Sequence, residues 1–278
     1  MNDAPDLPGS PGRMYPVPAY RHRYLPAMTR ARILGLPDKA WAPVLLATGA
    51  IEQHGPHLPV AVDSLLGQMW LEALIPRLPA DASCYVAPPI TIGKSNEHVG
   101  FPGTLMVSRD TLREQVLLVA RQISAWGFRS LLILNTHGGN SALIRDTLRE
   151  VREKIGLRCA FLGGEHRPDL SAQESVWGFH AGDYETSLLL ATAPRLVAMD
   201  AALCHYAGRL DDPGRLRPEF APATFAWAAQ DLSPSGVMGD ALAANAEKGA
   251  RWRDGLAAAQ AAWLTRWCAE MRAAVSMT

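Results

Sequence analysis

The sequence predicts an α/β fold, a three-layer α/β/α sandwich with a mostly parallel central sheet. Three observations point there. Short unbroken apolar runs recur at 43–49, 84–88, 130–134 and 158–162, and their lack of polar alternation suits strands buried on both faces. Between them lie longer stretches with apolar residues at helical spacing. The two kinds of segment alternate along the chain, the pattern of a parallel sheet with helices on both sides.

Each element has a local reason. Residues 1–26 are rich in proline and polar groups, lack periodicity and read as an extended N-terminal arm; residues 27–278 read as one domain ending in a helical segment. Ile33 to Leu36 predicts a short helix stopped by Pro37. The run from Pro43 to Gly49 is the first strand. Asp63 or Ser64 can cap a helix reaching about Ile75, before Pro76. Cys84 to Pro88 is the second strand. Ser108 and Asp110 offer capping oxygens to a helix on which Leu112, Val116, Val119, Ile123 and Trp126 share a face, and Gly127 closes it. Ser130 to Leu134 is the clearest buried strand. Asn140 or Ser141 opens a helix to about Ile155, and Arg158 to Leu162 follows as a strand. Glu185 to Thr192 is helical, 213–234 is irregular, and the alanine-rich 240–275 is one long helix or two.

Composition narrows the function. Lys+Arg and Asp+Glu both number 27 in 278 residues, so there is no global basic field for a nucleic-acid backbone. That neutrality lowers one barrier to self-association. The four cysteines are scattered without a C-x-x-C pair, which suits a reducing cytoplasm and argues against a disulfide framework. No run reaches the roughly 18 apolar residues of a membrane span, and the N-terminus has no apolar signal core.

Three segments carry unusual polar residues, and two directly follow apolar strands, where open parallel sheets place ligands. The first is Glu52-Gln-His54-Gly-Pro-His57 with Asp63 beyond a Gly-Pro loop. If the strand continues past Gly49, Glu52 and His54 project to one side. The second is Asn135-Thr-His137-Gly138-Gly139-Asn140, whose glycines let backbone approach a ligand. The third is His180-Ala-Gly-Asp-Tyr-Glu185 at a helix start. Each alone also fits a structural role: an imidazole–carboxylate pair pinning a loop, a tight strand-to-helix turn, or a Glu offsetting a helix dipole. Together they offer Glu52, His54, Asp63, His137 and Glu185, a donor set suited to two divalent cations, zinc first, with manganese or iron as alternatives. With Asp63 bridging, Glu52, Asp63 and His137 serve one ion and His54, Asp63 and Glu185 the other. A water between the ions would lose its proton near neutral pH and act as nucleophile. The backbone N–H groups of Gly138 and Gly139 can support a developing oxyanion.

On these residues the sequence resembles the creatininase family. The matching blocks are Glu52-Gln-His-Gly-Pro-His-Leu-Pro with Asp63, Glu97-His98-Val-Gly-Phe-Pro-Gly-Thr104, Asn135-Thr-His-Gly-Gly-Asn140, and His180-Ala-Gly-x-x-Glu185-Thr-Ser187. The resemblance implies a creatininase-like α/β/α fold, a two-metal centre, a homohexamer, and hydrolysis of C–N bonds in small molecules or peptides. By resemblance His180 is the proton shuttle to the leaving nitrogen, and Glu185 completes the second metal. Creatininase itself has a metal-binding Glu two residues after the histidine matching His137; here that position is Gly139, which argues against creatinine as substrate. His98 and Trp177 are the further candidates for lining the substrate pocket, with His57 and Glu97 held as supporting residues. The expected activity is cleavage of a cyclic amide or formamide of a small molecule in the cytoplasm. The alternatives are a peptidase clipping a short modified peptide, of the mycofactocin-maturation type, and a non-catalytic scaffold retaining the fold.

Overall fold

The computed structural model describes residues 18–207 and 226–276. Its centre is a four-stranded parallel sheet in the order β2-β1-β3-β4, with β1 at Val44–Thr48, β2 at Tyr85–Val86, β3 at Ser130–Asn135 and β4 at Arg158–Phe161. Side chains on the two central strands point alternately to opposite layers. Leu45, Ala47, Leu132 and Leu134 face one core, with Leu66, Trp70 and Leu74 of α2 (Val62–Leu74), Leu188 and Leu189 of α6 (Asp183–Thr192), and Trp252 and Leu264 of α8 (Ala246–Ser276). Val44, Leu46, Leu131 and Ile133 face the other, with Leu112, Val116 and Ile123 of α3 (Arg109–Ala125) and Ile144 and Val151 of α4 (Ser141–Lys154). These are the two helical layers expected of the sandwich. Among the described residues no helix is long and apolar enough to cross a membrane.

The helix ends follow from local chemistry. Ser108 Oγ accepts from Thr111 N at 3.1 Å to cap α3. Thr29 does the same for α1 (Arg30–Leu34), a turn earlier than the apolar residues alone suggest. The alanine-rich tail is a single helix of 31 residues. β4 is an edge strand and only partly buried. Two further pieces carry no periodic signal: α5 (Ala172–Trp177), and the antiparallel pair of β5 (Cys204–His205) and β6 (Gly239–Asp240). The segment 213–234 lies mostly outside the described residues; within it α7 spans Ala229–Leu232.

The N-terminal boundary differs from the expected 26/27 division. Tyr20 and Leu25 are buried, Tyr24 bridges to Val86, and the Arg23 guanidinium donates to Ala82 O at 3.0 Å. Proline content misled the reading there, because two aromatic side chains and a leucine supply enough apolar surface to dock the segment on the sheet edge. Residues 1–17 of the expected arm lie outside the described residues.

Candidate metal centre

Thr48 and Asn135 are register partners at the ends of β1 and β3, so the segments that follow leave the sheet side by side. β1 stops at Thr48, but Glu52 stays extended, its N–H donating to Val60 O at 2.8 Å while Ile51 bridges to Leu105. Gly49 lets α2 approach: a Cβ there would lie 2.8 Å from Ser64 N and 2.9 Å from the Asp63 carbonyl carbon. Thr136 Oγ1 donates to Asp63 O at 2.7 Å, tying the start of α2 to the β3 exit. Asn140 does not cap α4. It is fully buried, donates to Gly49 O at 3.0 Å and accepts from Lys94 N at 2.9 Å, and so fastens three loops together. On the opposite wall Ala181 has φ 54, the left-handed region that a residue with a Cβ adopts at a cost of about 1–3 kcal/mol. That turn lets Ala181 N donate to Glu185 Oε2 at 2.6 Å and swings His180 and Glu185 toward one cavity.

The five residues singled out as ligands meet. His137 Nδ1 lies 3.3 Å from Glu52 Oε1 and 3.4 Å from Asp63 Oδ2. His54 Nε2 lies 3.7 Å from Asp63 Oδ1 and 3.8 Å from Glu185 Oε1. The two oxygens of Asp63 thus face different imidazoles. Each ring is held through its other nitrogen: His54 Nδ1–H donates to Glu52 O at 3.0 Å, and His137 Nε2–H to Lys94 O at 3.1 Å. When each ring is neutral, as a ligand must be, this places the lone pairs of His54 Nε2 and His137 Nδ1 toward the carboxylates. Glu52 Oε2, His54 Nε2 and Asp63 Oδ2 are buried and make no hydrogen bond. Orphaned buried polar atoms, ordered by their neighbours and converging on a small space, fit a cation site.

Electrostatics agree. Burial and the Glu52 charge push the Asp63 carboxyl up to about 6. Burial opposes the charge on Glu52 as well, but His137, His98 and His180 outweigh it and hold Glu52 well below the usual range. Burial likewise pulls down His54 and His137, yet Glu185 and Asp63 hold the first well above the ordinary imidazole value and Glu52 with Asp63 the second at about 10. Protons on His54 and His137 thus offset the negative charge of the buried Glu52 and Asp63 and the half-buried Glu185. His180 goes the other way: burial, then His54 and His98, keep it well below the ordinary value and neutral.

The cavity is about 100 Å³ and is lined by Glu52, Asp63, His137 and Glu185 together with His98, Gly138, Gly139 and His180. Trp177 is not on its wall. It ends α5, and Phe179 and Trp227 line the cavity instead, with ring centroids 6.1 Å apart. Closeness to His180 in sequence suggested Trp177, but the turn after α5 brings Phe179 round, and Trp227 comes from a segment with no sequence mark. His57 stands behind the site, with Nε2 2.9 Å from Thr186 Oγ1. Glu97 is on the wall, its Oε1 3.5 Å from His137 Nε2. Sequence reasoning passed over Glu174. It is buried and accepts from Asp183 N, Tyr206 Oη and Asp240 N, each at 2.9 Å, so it clamps the start of α6 to β6.

The family model of creatininase, described as creatinine amidohydrolase, matches residues 27–264. The chain belongs to the creatininase family. It is 31% identical over 220 residues to the mycofactocin precursor peptide peptidase of Mycobacterium ulcerans, covering 76% of this chain and 80% of that protein. It is 32% identical over 183 residues to the creatinine amidohydrolase of Pseudomonas putida, covering 58% and 68%. A crystal structure of creatinine amidohydrolase matches with TM-score 0.67 at 22% identity, over 91% of this chain and 96% of that one. Creatininase structures of similar fold include a manganese form, TM-score 0.63, and a Zn–Zn form, TM-score 0.66. At these identities the structural likeness establishes the shared α/β/α fold.

Proposed function

We propose that this chain is a metal-dependent amidohydrolase that holds two divalent cations and cleaves a C–N amide bond. Glu52, His137 Nδ1 and Asp63 Oδ2 would hold one ion, and His54 Nε2, Glu185 and Asp63 Oδ1 the other. The observation that carries the reading is the pair of imidazoles locked by carbonyl oxygens so that their lone pairs face the two oxygens of one aspartate. Relatives with manganese and zinc forms support zinc or manganese as the ions. When bound, such ions supply Lewis acidity toward the amide carbonyl and the attacking water.

The protein's own groups do the rest. Gly138 and Gly139 bring backbone N–H groups to the cavity, where they can stabilise charge on the carbonyl oxygen. His180 is neutral, with Nε2–H donated to Gln53 O at 2.7 Å. Its Nδ1 is then free to take the proton that the attacking water gives up and hand it to the departing nitrogen.

Cleavage of a small cyclic amide or formamide is the first reading of the substrate. A second, a short peptide, is favoured by two observations. The M. ulcerans relative is a peptide peptidase. Two larger chambers, about 530 and 710 Å³, also share walls with the central cavity through His137 and Glu185 on one side and His180 and Phe179 on the other. A lactam needs one chamber, whereas a peptide amide needs room on both sides of the cleaved bond.

Elemental analysis of the purified protein, paired with a screen of lactams, formamides and short peptides, tests the proposal. Asp63→Ala should lose both ions and all activity. Full activity in that variant without bound metal would refute it.

A further inference from the structure

Gln53 stands between Glu52 and His54, and its side-chain amide is buried and fully committed. Oε1 accepts from Gly55 N at 2.9 Å. Nε2 lies 2.8 Å from His98 Nδ1, 3.1 Å from Gly236 O and 3.1 Å from His180 Nε2. Its backbone joins in: the N–H donates to Thr104 Oγ1 at 3.1 Å, and the carbonyl oxygen is 2.7 Å from His180 Nε2. Gly236, at φ +80, closes over the amide so tightly that a Cβ there would overlap it.

The surroundings fix every hydrogen. Gly55 N–H can only donate and Gly236 O can only accept, so the amide oxygen faces the first and the nitrogen the second. The flipped amide would set donor against donor and acceptor against acceptor. The nitrogen has two hydrogens for three neighbours. His180 Nε2 faces the Gln53 carbonyl oxygen, so it must carry a proton and cannot accept one. The two amide hydrogens therefore go to Gly236 O and His98 Nδ1. With Nδ1 accepting, His98 is neutral and carries its proton on Nε2, which faces Glu52 Oε1 at 3.5 Å. His180, protonated on Nε2, keeps its lone pair on Nδ1.

We propose that Gln53 is the positioning residue that sets the tautomers of both cavity histidines. Its side chain makes His98 a fixed N–H donor toward the Glu52 carboxylate, and its backbone carbonyl makes His180 a proton acceptor at Nδ1. One residue thereby gives opposite roles to two rings whose centroids lie 4.3 Å apart. The kinetic consequence rests on the amidohydrolase reading; the tautomers do not.

The test is two-bond 1H–15N correlation spectroscopy of the full-length, zinc-loaded protein labelled with [15N]histidine, with signals assigned from His98→Gln and His180→Gln. The unaltered protein should show both rings protonated on Nε2 only. Gln53→Glu replaces the amide donor with an acceptor. His98 should then gain a proton on Nδ1 while His180, held by the backbone, stays as it was. For an amide the protein hydrolyses, kcat should fall roughly 10- to 100-fold with KM little changed and two ions retained. Gln53→Met, which offers no hydrogen bond, should give a mixture of His98 tautomers and decides the matter if the Glu variant does not fold. His98 with an unprotonated Nδ1 in Gln53→Glu, or an unchanged single tautomer in Gln53→Met, would overturn the proposal. The expected proton shifts in a protein that cleaves no amide would uphold the tautomer assignment and sink the enzymatic reading.

Discussion

Gly139→Ala isolates how tightly the proposed ligand His137 is placed. A Cβ at position 139 would overlap Glu97 Oε1 and would lie 2.5 Å from His137 Nε2 and 2.7 Å from Lys94 O. Ordinary van der Waals contact begins near 3.4 Å, so the imidazole must retreat by about 0.9 Å and the carbonyl by about 0.7 Å. Glu97 can swing aside because its carboxylate is partly exposed. The other two cannot. Lys94 O is backbone, anchored by Lys94 N donating to Asn140 Oδ1, and it accepts the hydrogen bond that orients His137. The strain therefore falls on the ring that faces Glu52 and Asp63. Overpacking of this kind costs about 1–3 kcal/mol of stability, and disturbing a ligand's hydrogen-bonded support costs roughly 10- to 100-fold in metal affinity. Competition with a chromophoric chelator should show zinc binding weakened by that factor, and thermal unfolding of the metal-free variant should show the stability loss. A variant that binds zinc like the unaltered protein would refute the placement of His137.

Further expectations follow from other parts of the structure. Zinc titration in weak buffer at pH 7 should release about two protons per chain, because His54 and His137 are held protonated in the metal-free protein and must lose that proton to ligate. Affinity should accordingly rise with pH up to about 10, and release of no protons would contradict the charge balance described above. Glu174→Gln sets an NH2 group against the N–H groups that Glu174 now receives, which should cost about 1–3 kcal/mol in urea unfolding; an unchanged midpoint would show the clamp to be idle. Burial pushes the Cys84 thiol up to about 11, and burial with Cys84 nearby pushes Cys268 up to about 12, so their thiolate fractions at pH 8 are on the order of one in a thousand and one in ten thousand. Iodoacetamide should label them only after denaturation, as read by mass spectrometry.

The sheet and the five ligand candidates were legible because each writes itself locally. A parallel strand buried on both faces is an unbroken apolar run, and Val44–Thr48 and Ser130–Asn135 are such runs. Polar residues directly after them mark the ligand end of the sheet. What escaped depends on contacts between distant segments. β5 and β6 are two residues each, too short for any period to register. Trp227 and Glu174 gain their roles only when 172–183, 204–207 and 227–240 converge. Gln53 sat inside the most conspicuous block of the chain and still went unread, since an amide has no strong chemistry of its own and its function lies in which partners it satisfies.

The polar architecture behind the proposed ligands explains how the protein itself orients their donor atoms. Three carboxylates and several imidazoles in one buried cavity would ordinarily repel or rearrange. Here the rings facing the carboxylates are tethered by backbone carbonyls, His54 by Glu52 O and His137 by Lys94 O, so their orientation does not depend on a cation. The tethers use opposite nitrogens, Nδ1 on one ring and Nε2 on the other, and the rings approach Asp63 from different segments, one following β1 and one following β3. That asymmetry lets one aspartate face both through separate oxygens. At the proposed site, cations would displace protons without moving side chains, so little reorganisation would oppose binding. Precision at this centre is thus built from backbone carbonyls, Glu52 O in the segment after β1 and Lys94 O in the loop after β2, and only the tips of the side chains are left for chemistry.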